Sequence, residues 1–153
     1  MTQSRSPLLL IEDDENDIRL FQAALSVNGV SNPVWAVADG QEAMDYIMGQ
    51  GAFADRKRYH PPEIIFTDIK MPRVNGLEFL RWLRTESPLP HVPAVVLSAS
   101  DLESDVRTAY QLGANGYVRK PTSFDRLQRV ILLLVEYWNV CEKPQAQPEA
   151  AVA

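Results

Sequence analysis

The chain has 153 residues, close to the usual size of one compact domain, and 46% of them are apolar, enough for a single buried core. Its 20 acidic and 15 basic side chains give a formal charge of -5, which opposes non-specific attraction to nucleic acid or to anionic lipid. A lone cysteine, Cys141, excludes an internal disulfide, and no apolar run approaches the roughly 20 residues that span a bilayer, so we expect a cytoplasmic protein that binds neither membrane nor nucleic acid.

Short apolar runs alternate with segments of helical periodicity along the chain. Runs such as residues 8–11 consist entirely of apolar side chains, which is typical of strands buried on both faces. Between the runs, apolar residues recur every three to four positions and stop at glycines such as Gly49 and Gly113, as they do at helix ends. Capping-box spacing from Ser100 to Glu103 predicts the start of the fourth helix. The pattern predicts strands at residues 8–11, 34–37, 64–67, 94–97 and 116–119, and helices at 14–27, 40–49, 77–84, 100–113 and from 123 onward.

Five strands alternating with five helices, without hairpin turns between strands, predict an α/β domain. Its sheet should be entirely parallel, with helices covering both faces through right-handed crossovers. Residues 50–62 contain two prolines and no sustained period, so we expect an exposed loop there. We expect residues 1–7 to be a flexible N-terminus, 8–141 to be the folded domain, and 142–153 to be a disordered tail with no output domain.

Polar side chains stand at the ends of four predicted strands. Asp13 and Asp14 follow the first strand, Asp68 the third and Lys120 the fifth, while Ser98 follows the fourth. In a parallel α/β sheet, ligands bind beyond the carboxyl ends of the strands, where these residues should meet. Three carboxylates packed together resist ionisation unless a cation neutralises them. The sequence therefore predicts a metal, a phosphate, or both at this edge.

Each of these residues has a simpler interpretation when it is considered alone. Asp13 and Asp14 would fit a helix N-cap and its solvated neighbour, and Asp68 would fit a turn. Ser98 would fit a strand-end hydroxyl, and Lys120 a solvated lysine. These interpretations require four coincidences on one edge, so the joint site is favoured.

These residues, in this order at these strand ends, resemble the receiver domain of two-component response regulators. Met71-Pro72, Gly76 and the segment 112–117 agree with the same pattern, and the resemblance covers residues 8–138. It implies a flavodoxin-like (βα)5 fold, a three-layer sandwich whose parallel sheet has the strand order 2-1-3-4-5.

The resemblance implies that Asp68 accepts a phosphoryl group from a sensor histidine kinase and forms an acyl phosphate. It further implies that Mg²⁺ is held by Asp14, Asp68 and the backbone carbonyl of Lys70, with Asp13 acting mainly through a bound water. The Lys70 side chain departs from the usual neutral or acidic residue. We expect it to shield the acyl phosphate from water and to lengthen its life.

The same resemblance places Lys120 and the Ser98 hydroxyl on two phosphoryl oxygens. It puts a cis peptide before Pro121, which would aim Lys120 into the site. Ser98 stands where threonine is more frequent, and it keeps the hydroxyl. Tyr117 is implied to be a switch that turns inward as the Ser98 hydroxyl moves, the alternative being a half-buried surface tyrosine. The output surface would then be the fourth helix, the fifth strand and the fifth helix.

The last predicted helix carries more apolar surface than one core contact uses. Its adjoining stripe of Leu133, Tyr137 and Val140 predicts a partner surface, most simply a symmetric homodimer. Cover by the C-terminal tail is the alternative. The core stripe is predicted to be Leu127, Val130, Ile131, Leu134 and Trp138, with Leu132 and Val135 elsewhere around the helix.

Chain length, the loop around residues 56–62 and the ending Tyr137-Trp138 resemble stand-alone receivers that partner phytochrome-type histidine kinases in bacteria. We expect such a protein to catalyse only its own phosphorylation and dephosphorylation. A phosphorylation-independent adaptor and a phosphorelay shuttle or phosphate sink are the alternatives. An aspartate-nucleophile phosphatase is disfavoured, because Lys70 stands where that class needs an acid.

Overall fold

The computed structural model describes residues 6–144, so the expectations for residues 1–5 and 145–153 lie outside the described part. The strands are β1 (Leu8–Ile11), β2 (Val34–Val37), β3 (Ile64–Thr67), β4 (Ala94–Ser98) and β5 (Gly116–Arg119). The helices are α1 (Glu15–Val27), α2 (Gly40–Met48), α3 (Gly76–Thr85), α4 (Glu103–Gln111) and α5 (Phe124–Val140), with a short 3₁₀ turn at Gly51–Phe53.

All five strands are parallel and lie in the order β2-β1-β3-β4-β5. The central strand β1 pairs Leu8 with Val34 on one side and with Ile64 on the other. This order confirms the flavodoxin-like architecture that the resemblance implied. It also brings the carboxyl ends of β1, β3, β4 and β5 together at one edge of the sheet.

Two apolar clusters lie on opposite faces of the sheet. Leu9 and Ile11 of β1 pack with α2, α3 and α4, whereas Leu8 and Leu10 pack with α1 and α5. Successive side chains of a strand point to opposite faces, so an uninterrupted apolar strand can serve both clusters. Helices thus cover the sheet on both sides, and its polar carboxyl edge remains as the accessible site.

Side-chain caps begin four of the five helices, and the fourth helix differs from the prediction. Asp14, Asp39, Asn75 and Ser123 each accept backbone N–H groups at a helix start. Helix α4 instead begins at Glu103 without a side-chain cap. The predicted capping box at Ser100 is wrong, because Ser100 lies before the N-cap position, Leu102. Its hydroxyl accepts from the N–H of Leu102 and donates to the Asp105 carboxylate in the first turn of α4.

The segment after α2 is less exposed than the sequence predicts. Phe53 and Tyr59 are half-buried, and their rings contact the buried ring of Tyr46 with centroids 5.2 and 6.0 Å apart. The Arg56 guanidinium lies over the Tyr46 ring, 5.7 Å from its centroid, and donates to the carbonyl of Tyr46 at 2.7 Å. Aromatic side chains at irregular spacing show no period, so the sequence pattern did not reveal this packing.

Helix α5 buries an apolar residue that its predicted core stripe does not contain. Val135, expected elsewhere around the helix, is fully buried together with Ile131. Just past the helix, the Lys143 ammonium pairs with the Glu63 carboxylate at 2.9 Å and contacts the carbonyl of Trp138. Lys143 belongs to the predicted tail, residues 142–153, of which the structure describes residues 142–144.

Candidate functional site

One lysine ammonium lies among three carboxylates at the carboxyl edge of the sheet. Lys120 Nζ is 2.9 Å from Glu12 Oε2, 2.9 Å from Asp17 Oδ2 and 2.9 Å from Asp68 Oδ2. An ammonium has three N–H donors, so these contacts use all of them. The side chain of Lys120 is only 18% exposed, which strengthens each ion pair relative to one on an open surface.

Backbone pairing between strands brings Asp68 and Lys120 together. The N–H of Asp68 donates to the carbonyl of Ile11 at 3.0 Å, and the N–H of Lys120 donates to the carbonyl of Ser98 at 2.8 Å. Each residue therefore continues the ladder one step beyond its strand. The two side chains leave the sheet at the same edge, as the sequence predicted.

The Asp68 carboxylate is oriented through both of its oxygens. Oδ1 accepts from the N–H of Ile69 at 2.6 Å, and Oδ2 accepts from Lys120. The side chain is 14% exposed, so it is accessible from the sheet edge. A carboxylate held in this way has the chemistry of a nucleophile or of a cation ligand.

Burial and charge act in opposite directions within this cluster. Burial raises the pKa of Glu12 to about 7, against the lowering effect of its hydrogen bond to Lys120. Burial alone would lower the pKa of Lys120, but hydrogen bonds to Asp17, Glu12 and Asp68 raise it above its usual value. Lys120 is therefore a permanent cation at neutral pH.

Glu12 is a site residue that the sequence interpretation missed. It is 4% exposed, and its N–H still pairs with the neighbouring strand, donating to the carbonyl of Val37 at 2.9 Å. Because the β1 ladder extends one residue beyond Ile11, the first carboxylate at the sheet edge belongs to Glu12. The signal was present in the sequence, since Glu12 is the first polar residue after the apolar run.

The predicted acidic pair is therefore corrected. The Asp14 carboxylate is the N-cap of α1, where it accepts from the N–H groups of Asn16 at 2.8 Å and Asp17 at 3.1 Å. Asp13 is exposed beside it. The simpler interpretation of Asp14 as a helix cap is the one that the structure supports, because the chain turns from strand into helix at this residue.

Ser98 and Tyr117 are linked through the loop between β4 and α4. The buried Ser98 hydroxyl accepts from the N–H of Ser100 at 3.1 Å. The Tyr117 hydroxyl donates to the carbonyl of Ser100 at 2.9 Å, and the N–H of Tyr117 donates to the hydroxyl of Tyr110 at 3.1 Å. One residue of the loop thus contacts both members of the predicted switch.

Two further expectations about this edge have different outcomes. Among residues 6–144 no peptide bond is cis, so the predicted cis bond before Pro121 is wrong for this structure. The trans form, which X-Pro bonds favour by about 0.5–1 kcal/mol, still delivers Lys120 to Asp68. The Lys70 side chain is exposed, so its shielding role remains a prediction.

An ion pair between the exposed Arg73 and the buried Asp39 fixes the loop that follows Asp68. The Arg73 guanidinium donates to both oxygens of Asp39, at 2.8 and 3.1 Å, and Arg73 has a left-handed φ of 62°. The N–H of Gly40 donates to the carbonyl of Val74 at 2.8 Å. Burial alone would raise the pKa of Asp39, but hydrogen bonds from Arg73 and the N–H of Glu42 lower it below its usual value.

The oxygen donors at the site suit a hard divalent cation. Glu12 and Asp68 supply carboxylates there, and the exposed Asp13 follows Glu12 in the chain. Mg²⁺ is typically bound by one or two carboxylates with waters and a phosphate completing its shell. Within the described residues no three acidic, histidine or cysteine side chains form a ready-made metal cluster. The donor set therefore fits Mg²⁺ in that water-rich form and does not fit a closed protein cage.

The exposed face of α5 agrees with the predicted stripe. Leu133 is 67%, Tyr137 56% and Val140 82% exposed in the described part of the chain. Large apolar side chains clustered on one surface are typical of contact sites.

Comparison with known families shows which protein family the chain belongs to. Residues 8–132 match the family described as the response regulator receiver domain. The chain belongs to this family. The expectation from resemblance is confirmed over most of the chain, and the Asp68–Lys120 geometry lies within the matched segment.

Relatives of this receiver include phytochrome response regulators. The chain is 30% identical to response regulator Rcp1 of Synechocystis over 131 residues, which cover 86% of this chain and 87% of Rcp1. The structure of the phosphorylated cyanobacterial phytochrome response regulator RcpA matches with a TM-score of 0.84 and 32% identity, covering 92% and 99% of the two chains. The Mn²⁺-bound form of Rcp1 matches with a TM-score of 0.81 and 27% identity, covering 92% and 100%.

No helix within residues 6–144 is long and apolar enough to cross a membrane.

Proposed function

We propose that this receiver accepts a phosphoryl group from a sensor histidine kinase on Asp68, in a Mg²⁺-dependent reaction. The observation that carries the proposal is the Asp68 carboxylate, accessible at the sheet edge and held 2.9 Å from the Lys120 ammonium. A phosphorylated structure among the relatives supports it as well. In this proposal the phosphodonor is the only substrate, and the protein catalyses only the phosphorylation and dephosphorylation of its own Asp68.

The proposed chemistry is a direct phosphoryl transfer. A carboxylate oxygen of Asp68 attacks phosphorus, the bond from phosphorus to the donor nitrogen breaks, and the donor keeps that electron pair. Lys120 and the Ser98 hydroxyl bind phosphoryl oxygens as negative charge approaches the site. Water later attacks phosphorus, the bond from phosphorus to the Asp68 oxygen breaks, and inorganic phosphate leaves as the carboxylate is regenerated.

Glu12, Asp13, Asp68 and the backbone carbonyl of Lys70 are the groups that would hold a divalent cation. When bound, Mg²⁺ would neutralise negative charge on the transferring phosphoryl group. The Mn²⁺-bound form of Rcp1 supports a divalent cation at such a site.

Intact mass after incubation with acetyl phosphate tests the proposed function. We expect one added phosphoryl group in the presence of Mg²⁺ and none after removal of the metal with a chelator. An Asp68→Asn variant is the matched control, because it keeps the shape of the acceptor and removes its nucleophilic charge. Equal phosphorylation of this variant, or none in the wild type with either acetyl phosphate or a histidine kinase, would reject the proposal.

We also propose that phosphorylation is read out through α4, β5 and α5, and that the stripe of Leu133, Tyr137 and Val140 forms a homodimer contact. The contacts of Ser100 support the readout through α4, β5 and α5. Its carbonyl accepts from the Tyr117 hydroxyl, and its N–H donates to the buried Ser98 hydroxyl. The exposure of the stripe supports the homodimer contact.

Hydrogen exchange tests the readout and the dimer in one experiment. Phosphorylation should change exchange in residues 99–111, and a Tyr117→Phe variant, which lacks the hydroxyl on Ser100, should lose most of that change. Raising the protein concentration should slow exchange in residues 131–140 if copies associate through the stripe. Identical exchange with and without phosphate would contradict the readout, and exchange independent of concentration would contradict the dimer.

The proposed kinase partner is of the phytochrome type, which the description of the structural relative RcpA as a phytochrome response regulator supports. A phosphorylation-independent adaptor and a phosphate sink or shuttle remain the alternatives. Phosphorylation that does not change hydrogen exchange would favour the sink or shuttle. Failure of both acetyl phosphate and a histidine kinase to phosphorylate the protein would favour the adaptor.

A further inference from the structure

Asp17 is the one carboxylate on Lys120 that lies on a helix instead of at a strand end. It belongs to the first turn of α1, and its Oδ2 is 2.9 Å from Lys120 Nζ. The Asp17 side chain is 37% exposed, whereas the side chains of Glu12 and Asp68 are 5% and 14% exposed. Of the three partners, Asp17 is thus the one that water can solvate most readily when it is released.

All three N–H donors of Lys120 are occupied while Asp68 carries no phosphoryl group. A phosphoryl oxygen that enters beside Asp68 needs at least one of these donors. Releasing Glu12 would leave a buried carboxyl group without a cation, with only the N–H of Asp14 on its other oxygen, which is costly. Releasing Asp17 exposes a carboxylate to solvent. Of the two bonds that do not involve Asp68 itself, the bond from Lys120 to Asp17 is therefore the less costly to exchange.

We propose that Asp17 holds Lys120 in the resting state and competes with the incoming phosphoryl group for it. This inference rests on the proposed phosphorylation of Asp68 and deepens it. Asp17 also adds a negative charge beside an acceptor that must receive an anionic donor. Both effects weaken productive binding of the phosphodonor, so Asp17 is a positioning residue that sets the sensitivity of the receiver.

The matched variants are Asp17→Asn and Glu15→Gln. Each removes one negative charge from the first turn of α1, and therefore changes the interaction with the helix dipole similarly. Glu15 is exposed and makes no side-chain hydrogen bond within the described residues. A third variant, Asp17→Glu, restores the charge and tests rescue.

Phosphorylation kinetics with acetyl phosphate and Mg²⁺ provide the first readout. Asp17→Asn should lower the KM for acetyl phosphate roughly two- to five-fold, the equivalent of one partly exposed ion pair, with little change in kcat. Glu15→Gln should leave KM near the wild-type value, and Asp17→Glu should return toward it. An Asp17→Asn variant with KM unchanged or raised relative to Glu15→Gln would overturn the proposal.

Acetylation of Lys120 by acetic anhydride, followed by peptide mass, provides a readout that needs no phosphorylation. Asp17→Asn should increase the rate of Lys120 labelling, and Glu15→Gln should not. If the wild type accepts no phosphoryl group, the proposed function fails, and equal labelling in the two variants then rejects Asp17 as a tether as well. Faster labelling would retain the tether alone.

Discussion

Replacing Lys120 with alanine is expected to lower the rate of Asp68 phosphorylation by roughly 10²–10³-fold, the usual cost of removing one preorganised electrostatic group from a reacting site. In the described part of the chain, the Lys120 ammonium is the only side-chain cation within hydrogen-bond distance of Asp68. Without it, an anionic donor would approach Glu12, Asp17 and Asp68 with no fixed positive charge to compensate. The rate is measured by intact mass over time at saturating Mg²⁺ and acetyl phosphate.

Lys70→Ala is the control for this prediction. Lys70 lies two residues after the acceptor, but its side chain is exposed and contacts no carboxylate in the described structure. The Lys70→Ala substitution should therefore change the lifetime of the acyl phosphate more than the rate at which the acyl phosphate forms. Circular dichroism must show that Lys120→Ala is folded. A folded variant that is phosphorylated at the wild-type rate would show that Lys120 does not act at the acceptor.

Replacing Gly76 with alanine is expected to destabilise the fold by about 3 kcal/mol, at the upper end of the range for overpacking. A Cβ at this position would lie 1.9 Å from the carbonyl oxygen of Asp68 and 2.9 Å from its carbonyl carbon. Both are backbone atoms, so no rotamer change can relieve the clash. Helix α3 and the acceptor loop must separate, and the variant should lose phosphorylation together with stability.

Gly116→Ala is the matched control for the Gly76 prediction. A Cβ on Gly116 would meet only Val95 side-chain atoms at 3.8 and 4.0 Å, which is ordinary contact. Urea unfolding of both variants measures the difference in the free energy of unfolding. Equal stabilities would mean that Gly76 is not packed against the acceptor loop as described.

The arrangement of strands and the positions of Asp68, Ser98 and Lys120 could be predicted from the sequence. Strands β1, β3 and β4 begin with three or four consecutive apolar residues, and a polar residue follows each run. Parallel connections then bring those ends together without any knowledge of side-chain contacts. The α5 stripe was predictable for a similar reason, since its exposure follows from helical periodicity.

The identity of the acidic residues around Lys120 could not be predicted in the same way. Four acidic residues, Glu12 to Glu15, follow β1 in succession, and which of them points inward depends on one further step of strand pairing by Glu12. Because of that step, Glu12 contacts Lys120, and Asp14 caps helix α1 instead of joining the cluster. Asp17 was missed because its position beside Lys120 depends on the angle at which α1 leaves the sheet, which is a tertiary property.

The most direct test of phosphorylation at Asp68 is to locate the phosphoryl group itself. Borohydride reduces an aspartyl phosphate to an alcohol, which marks the modified residue permanently for peptide mass sequencing. Wild-type protein treated with acetyl phosphate and Mg²⁺ should carry this mark on Asp68 alone. A mark on Asp13, Asp14 or another carboxylate, with Asp68 unmodified, would contradict the assignment of Asp68 as the acceptor.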